Sequence, residues 1–491
     1  MEAKRTLNAR TPSTAKRTRR RGGADALLAL GAERSNGATL AASVADAIVA
    51  DVAARGWPEG EVLGSEPELL ERYGVSRAVF REAVRLVEHK EVARMRRGPG
   101  GGLVVTVPTV ESAIDAVAVY LFYVQASLDE VFEARLVLEE VVAELAPSRL
   151  DEDDVDLLRD LMARERSGDV ADYRELHALL ATLTRNPALE LFVDLLNRVS
   201  ALFLSDPTLL EGSTISASSH AHCAIGEAVL AGDDGLARHR MRKHLLAEAE
   251  YLKAKARTRI ELPRPTSDEK RGQRVAFEML REIAEAGWPV GSLIGSEKAL
   301  MERYGVSRAV LREAVRVLEH HQVARMRRGP GGGLFVTEPS VAATTEAVAL
   351  HLHRQRITPA QLFEVRTAIE LAALERTIEH LDDEDVAELE AALDAERHAS
   401  TEELRDRVHG VHTVLATASG NRVLELLTLV LLRLTRLHQG PVPRRRLERQ
   451  AIEELAKVHE RIVEAVAARD LEVARMRMRR HLHALAEFVS D

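Results

Sequence analysis

The chain has 491 residues, 46% of them apolar and only 3% aromatic, with a formal net charge of −9. That length exceeds a single hydrophobic core, so several domains are expected. Its one cysteine, Cys223, excludes an intramolecular disulfide and a Cys-rich zinc site, and no apolar run approaches the ~18 residues of a membrane span; the expectation is a cytoplasmic protein without a membrane partner.

Residues 1–38 are polar and Arg-rich ("KRTLNARTPSTAKRTRRRGG") and read as a disordered basic tail, either a solubilising leader or a non-specific arm for DNA. No apolar signal-peptide core follows it. The next stretch, 39–108, reads as a compact unit. The apolar spacing predicts a helix over 40–55, followed by a "GWP" turn and a short helix over 66–73 capped by Ser65. Gly74 suits the left-handed turn position that ends it. Ser76 caps a further helix whose apolar face carries Val79, Ala83, Leu86 and Val87, and "RMRRGPGGGLVVT" then gives two short strands around a glycine tip. Residues 109–253 show three- and four-residue apolar spacing and no useful alternation, so an all-helical bundle is expected. Pro263 and Pro265 mark a linker over 254–268.

The chain then repeats itself. At an offset of 231, residues 64–108 and 295–339 agree at 35 of 45 positions. The second compact unit spans 269–339, with its first helix over 271–286, and a second helical bundle spans 340–491. The predicted fold class is mostly α: two winged helix-turn-helix domains, each of three helices and a hairpin wing, each followed by an all-α bundle.

The acidic net charge conceals two basic patches, because residues 72–106 and 303–337 each carry a local excess of +5. Local positive fields suffice for phosphate contacts in salt. Arg77 and Arg81 are four residues apart and share the face opposite the apolar stripe, as do Arg308 and Arg312. Arginine forms bidentate bonds to guanine O6 and N7. Small Ser76 and Ser307 allow close backbone approach and can hold a phosphate. The wings, with Arg96, Arg97, Gly100 and Gly101, and Arg327, Arg328, Gly331 and Gly332, suit the backbone or a minor groove. Taken singly, an arginine run is usually a solvated helix face. A nucleotide-cradling loop is disfavoured because no Lys-Ser/Thr follows the glycines. The ordered set, present twice, points to DNA.

"LGSEPELLERYGVSRAVFREAVRLVE" resembles the N-terminal signature of the GntR superfamily of bacterial transcription regulators, and the helical units resemble the effector domain of its FadR-like branch. The resemblance covers all but the tail and the linker. Family members often carry an arginine just after the glutamate matched by Glu66; here Pro67 stands there, and Lys298 in the second copy. FadR-like effector domains commonly hold a metal with an aspartate, a histidine four residues later and two more histidines near the C-terminus. The matching histidines are His177, His222 and His244, then His412, His459 and His481, while Tyr173 and Val408 replace the aspartate. In each unit the last two histidines are 22 residues apart, and helix rise alone places them level across a helical hairpin that turns, in the first unit, near Gly232–Asp233. Three imidazoles suffice for Zn²⁺ or Ni²⁺ with positions left open; singly, each is as well read as a core histidine. Arg135 and Arg366 precede Glu139 and Glu370 by four residues, which is either an i,i+4 helix pair or, as the resemblance implies, an anchor for an acidic effector.

The sequence therefore predicts no enzyme but a DNA-binding transcription regulator, a repressor, acting on a near-palindromic operator as a monomeric pseudo-dimer or a homodimer and answering to a small carboxylate. A nucleoid architectural protein and a metal-dependent hydrolase are the alternatives.

Overall fold

The structure, a computed structural model, describes residues 36–98, 100–169, 174–203, 213–255, 270–399, 407–438 and 449–490. The tail up to residue 35, the linker residues 256–269 and Tyr173 lie outside them. Among the described residues each half contributes ten α-helices and a wing in the same order.

The first head comprises α1 (Asn36–Ala54), α2 (Glu66–Tyr73), α3 (Arg77–His89), β1 (Ala93–Arg96) and β2 (Gly102–Val105). Ser65 N–H donates to Glu68 in a capping box, and Gly74 closes α2 at φ 61°. Ser76 caps α3 by accepting from Val79 N–H at 3.4 Å. Ala83 and Val87 are buried as expected, joined by Phe80 and Val84, whereas Val79 and Leu86 are half-buried. The second head repeats this as α11 (Arg271–Glu285), α12 (Glu297–Tyr304), α13 (Arg308–His320), β4 (Ala324–Arg327) and β5 (Gly333–Val336). It adds a strand not expected from the sequence, β3 (Leu293–Gly295), on the free edge of β5; the first head has only a single bridge there, Val62 to Val104.

The bundles are α4 (Val110–Tyr123), α5 (Leu128–Leu145), α6 (Glu152–Ser167), α7 (Glu175–Leu183), α8 (Pro187–Ala201), α9 (Ser213–Leu230) and α10 (Asp234–Lys255), answered by α14 (Val341–Arg354), α15 (Pro359–His380), α16 (Asp383–Arg397), α17 (Gly410–Ala418), α18 (Arg422–His438), α19 (Arg449–Ala467) and α20 (Leu471–Ser490). Two boundaries differ from the sequence reading. Helix α1 begins at Asn36, inside the stretch read as tail. Helix α10 runs to Lys255, into the stretch read as linker, because Leu252 remains fully packed in the core.

The bundles share one continuous apolar core, with Val131, Phe132, Val365 and Ile369 among its buried residues. Their interface is pseudo-symmetric. Asn186, capping α8, donates to Gln361 O at 2.8 Å and to Glu364 at 3.0 Å; Asn421, capping α18, donates to Glu130 O at 3.1 Å and to Glu133 at 2.7 Å. Reciprocal pairs of this kind define an isologous contact, here closed within a single chain.

The heads are seated crosswise. The core of the first head includes Leu350 of α14, and Trp57 lies 6.4 Å from the ring of His353. The core of the second head includes Val119 of α4, and the Trp288 ring meets Tyr123 at 5.1 Å and Phe122 at 6.1 Å in tilted contacts. Each head thus packs on the bundle of the other half.

Candidate functional site

The arginines read as base-contacting lie at the N-terminal ends of α3 and α13. Arg77, Arg81 and Arg308 have side chains 64%, 65% and 70% exposed, and Arg312 is exposed as well. Glu66 steers the first pair, at 3.2 Å from Arg77 and 3.5 Å from Arg81; Glu297 holds Arg308 at 3.1 Å. The sequence reading did not single out these carboxylates, although both precede Arg77 or Arg308 by eleven residues. Ser76 and Ser307 are exposed; as caps their oxygens accept from Val79 and Val310, leaving each hydroxyl free to donate. Pro67 sits in the first turn of α2, and Lys298, 87% exposed, lies 3.9 Å from Glu302.

In the wings Arg96, Arg97, Arg327 and Arg328 are exposed. Arg96 donates to Gly100 O at 2.8 Å, whereas Arg327 lies over the Phe335 ring at 4.4 Å. Gly100 and Gly331 adopt φ 68° and 74°. A Cβ at Gly101 or Gly332 would meet the carbonyl of Arg96 at 2.4 Å or of Arg327 at 2.5 Å, so both tips require glycine.

The heads touch at the other end of their arginine-bearing helices. His89 and His320 lie 6.0 Å apart in an edge contact, and Gln322 Nε2 is 3.0 Å from His89 Nε2. Arg77 and Arg308 therefore occupy the far ends of two helices that meet at their C-termini.

Inside each bundle the three predicted histidines converge. His244 Nε2 lies 3.2 Å from His222 Nε2 and 3.3 Å from His177 Nε2. His481 Nε2 lies 3.1 Å from both His412 Nε2 and His459 Nε2. All six rings are buried. A tetrahedral ion with bonds of about 2.05 Å separates its ligand nitrogens by ~3.3 Å, so the donor sets fit a divalent metal. The outer shell fits too. His177 Nδ1 faces Glu139, His222 Nδ1 faces Glu165 at 2.7 Å, His412 Nδ1 faces Glu370, and His459 Nδ1 faces Glu396 at 2.7 Å. Each carboxylate fixes the proton on Nδ1 and turns a bare Nε2 lone pair inward. Burial lowers the pKa values of His222 and His412 and takes those of His244 and His481 well below the usual range, which keeps them neutral and able to ligate. Val408, at the position of the missing aspartate, offers no donor.

Arg135 and Arg366 are wholly buried, and the i,i+4 pairs with Glu139 and Glu370 form inside the bundles. Arg135 Nε donates to Glu139 at 2.8 Å, and Arg366 Nε donates to Glu370. The same glutamates support His177 and His412, so each arginine abuts its imidazole centre. Burial opposes ionisation of Glu139, but the His177 imidazole and the Arg135 guanidinium outweigh it and hold the carboxyl at about 2; Glu370 is held at about 2 by Arg366 and His412 against the same penalty.

Among the described residues no helix is long and apolar enough to cross a membrane. Residues 130–247 and 361–484 match the FCD domain, and 271–336 match the gntR family of bacterial regulatory proteins, together more than half of the chain. A Uxu operon regulator of Haemophilus influenzae is 27% identical over 139 residues, 26% of this chain and 49% of the relative, so the chain spans about half the length of that relative. Among solved structures, a Streptococcus agalactiae GntR protein is 21% identical, with a TM-score of 0.32 over 44% of this chain and 99% of the other. E. coli McbR/YncC is 18% identical, with a TM-score of 0.24 over 45% and 97%. The two FCD matches correspond to the two histidine centres and the gntR match to the second head: the chain belongs to the GntR family of bacterial transcription regulators with FCD domains, not to an enzyme family.

Proposed function

We propose that the chain is a single-chain pseudo-dimer that represses transcription by gripping a near-palindromic operator with both heads, and that it releases or tightens this grip when a small acid reaches the FCD centres. The observation that carries this reading is the pair of matched heads meeting at the C-termini of α3 and α13. At 1.5 Å per residue each arginine-bearing end lies about 18 Å from that contact, so the ends can stand up to about 40 Å apart, which includes the roughly 34–36 Å between half-sites one turn apart. Fusion makes engagement of the second head intramolecular and replaces dimerisation by a high effective concentration.

Arg77 and Arg81 read one half-site and Arg308 and Arg312 the other; Ser76, Ser307 and the wing residues Arg96, Arg97, Arg327 and Arg328 hold phosphates around them. In each bundle the three histidines hold a divalent metal, Zn²⁺ or Ni²⁺. Bound there, the ion supplies Lewis acidity that attracts a carboxylate, while Arg135 or Arg366 orients it.

Selection of bound sequences from a random DNA pool, followed by footprinting, tests the reading. Two matched half-sites protected by one chain are expected, and Arg77→Ala with Arg308→Ala should lower the affinity at least about 30-fold, as loss of two arginine–guanine contacts of about 1–3 kcal/mol each implies. Unrelated half-sequences, or a footprint on one half alone, would overturn it. Failure to outcompete random DNA would favour an architectural role.

A further inference from the structure

We propose that the two FCD centres are unequal: the first is filled by the chain's own Glu248, and only the second accepts a carboxylate from solution. The inference rests on the reading of Arg135 and Arg366 as anion-orienting groups and decides which of them is open.

One helical turn beyond the third histidine the two units part. Helix α10 carries Glu248 after His244; helix α20 carries Leu485 after His481. Glu248 reaches back to Arg135, with Oε1 2.9 Å from Nη1 and Oε2 3.4 Å from Nη2, while Oε2 lies 3.7 Å from His244 Nε2. A carboxylate accepting both guanidinium nitrogens beside a bare imidazole lone pair sits where an acidic ligand would bind. The first centre holds that carboxylate covalently on its own backbone, so an exogenous acid meets a filled guanidinium and a like charge.

In the second unit no carboxylate among the described residues takes this place. Arg366 spends Nε on Glu370 and Nη1 on Thr435 at 3.3 Å, and its buried Nη2 has no partner among the described residues. A second buried orphan lies nearby: His409 Nε2 is likewise without a partner among the described residues. Burial takes His409 well below the usual histidine range, and the positive charges of Arg436 and Arg366 push the same way, placing it in the field of the same guanidinium. Two buried polar groups left open around one centre cost free energy unless a ligand satisfies them. Aliphatic Leu485 contributes no charge and leaves the anion position to the ligand. A small carboxylate would supply the missing acceptor, with its oxygens toward Arg366 Nη2 and the imidazole centre.

The test uses the full chain loaded with Co²⁺, with acetate as probe, reading acetate uptake by calorimetry and inner-sphere binding by the visible cobalt bands. Two cobalt ions and one acetate per chain are expected. Glu248→Leu should raise acetate to two per chain, and Leu485→Glu should weaken uptake by the native chain at least 10-fold. The second substitution adds a group the first unit already tolerates, so it guards against an unstable Glu248 variant. Two equivalent acetate sites in the native chain, no acetate with both cobalt ions bound, or uptake unaffected by Leu485→Glu would overturn this inference while leaving the metal reading intact. Absence of cobalt binding would overturn both.

Discussion

The two seams that join heads to bundles are built from matching positions, yet one is locked by charge and the other is hollow. Where the first head meets the second bundle, Glu346 of α14 receives Lys90 at 2.9 Å and Arg433. Where the second head meets the first bundle, the corresponding residues are Asp115, His321 and Arg198, and Arg198 turns instead to Asp194 at 2.9 Å. They line a cavity of about 190 Å³ with Val119, Val199 and Leu280. The corresponding residues on the locked side include Leu350 and Leu434, each one methylene larger than Val119 and Val199. A shorter acid, a histidine for a lysine and two smaller aliphatics thus open space in one seam while the heads themselves hardly change. Near-identity of sequence in the DNA-contacting parts does not make their mountings equivalent.

The largest way to break the comparison is Glu346→Ala. It removes the carboxylate that holds both Lys90 and Arg433, whose side chains are only 21% and 26% exposed, leaves Lys90 to Asp46 at 3.0 Å, and should cost about 2 kcal/mol in a denaturant titration. Asp115→Ala, at an exposed position, should cost under about 1 kcal/mol. Equal losses would mean that the seams differ only in appearance.

Acid should act on the hollow seam next. Burial, together with the neighbouring His320 and His89 rings, holds His321 at about 3. An unfolded histidine titrates near 6.5, so the unfolded state takes up the proton first. The contribution of His321 is therefore complete above about pH 6.5 and is lost as pH falls from there toward about 3. His353, held at about 4 by burial and by His438 and Arg433, adds a narrower window beside Trp57 on the other seam. The protection factors of the α13 amides should fall on acidification, and His321→Lys paired with Asp115→Glu should remove that dependence by rebuilding the Lys–Glu–Arg arrangement. Acid-sensitive protection that persists in the double variant would place the titrating group elsewhere.

The smallest effect sharpens the picture from the apolar side. Val119→Leu with Val199→Leu should fill the cavity and raise stability by about 1 kcal/mol, seen as a higher melting temperature. A loss would show the space to be closed to added methylenes.

What the sequence made legible follows from how local its causes are. The bounds of α2 and α12 could be read residue by residue, because a serine cap and a left-handed glycine fix each end within eight residues. The histidine centres were legible because the spacing of 22 residues folds back on itself in one hairpin. Glu139 and Glu370 were visible only as i,i+4 partners; their outward role toward His177 and His412 depends on packing between helices that sequence spacing does not encode. Glu165 and Glu396 carried no local signal at all, and neither did Glu66 as a clamp on Arg77. The strand β3 escaped because three residues, "LIG", owe their pairing to β5 rather than to their own pattern.

The crosswise seating of the heads has a consequence for the gene as well as for the protein. The first head finds its seat on α14, more than 200 residues downstream, and the second finds its own on α4, far upstream. A chain cut within the linker would yield two halves, each with a head lacking its bearing surface and a bundle displaying an apolar seat. Neither half could rest until it met another, so the duplication is no longer two proteins in tandem but one that cannot be divided without recreating the dimer it replaced.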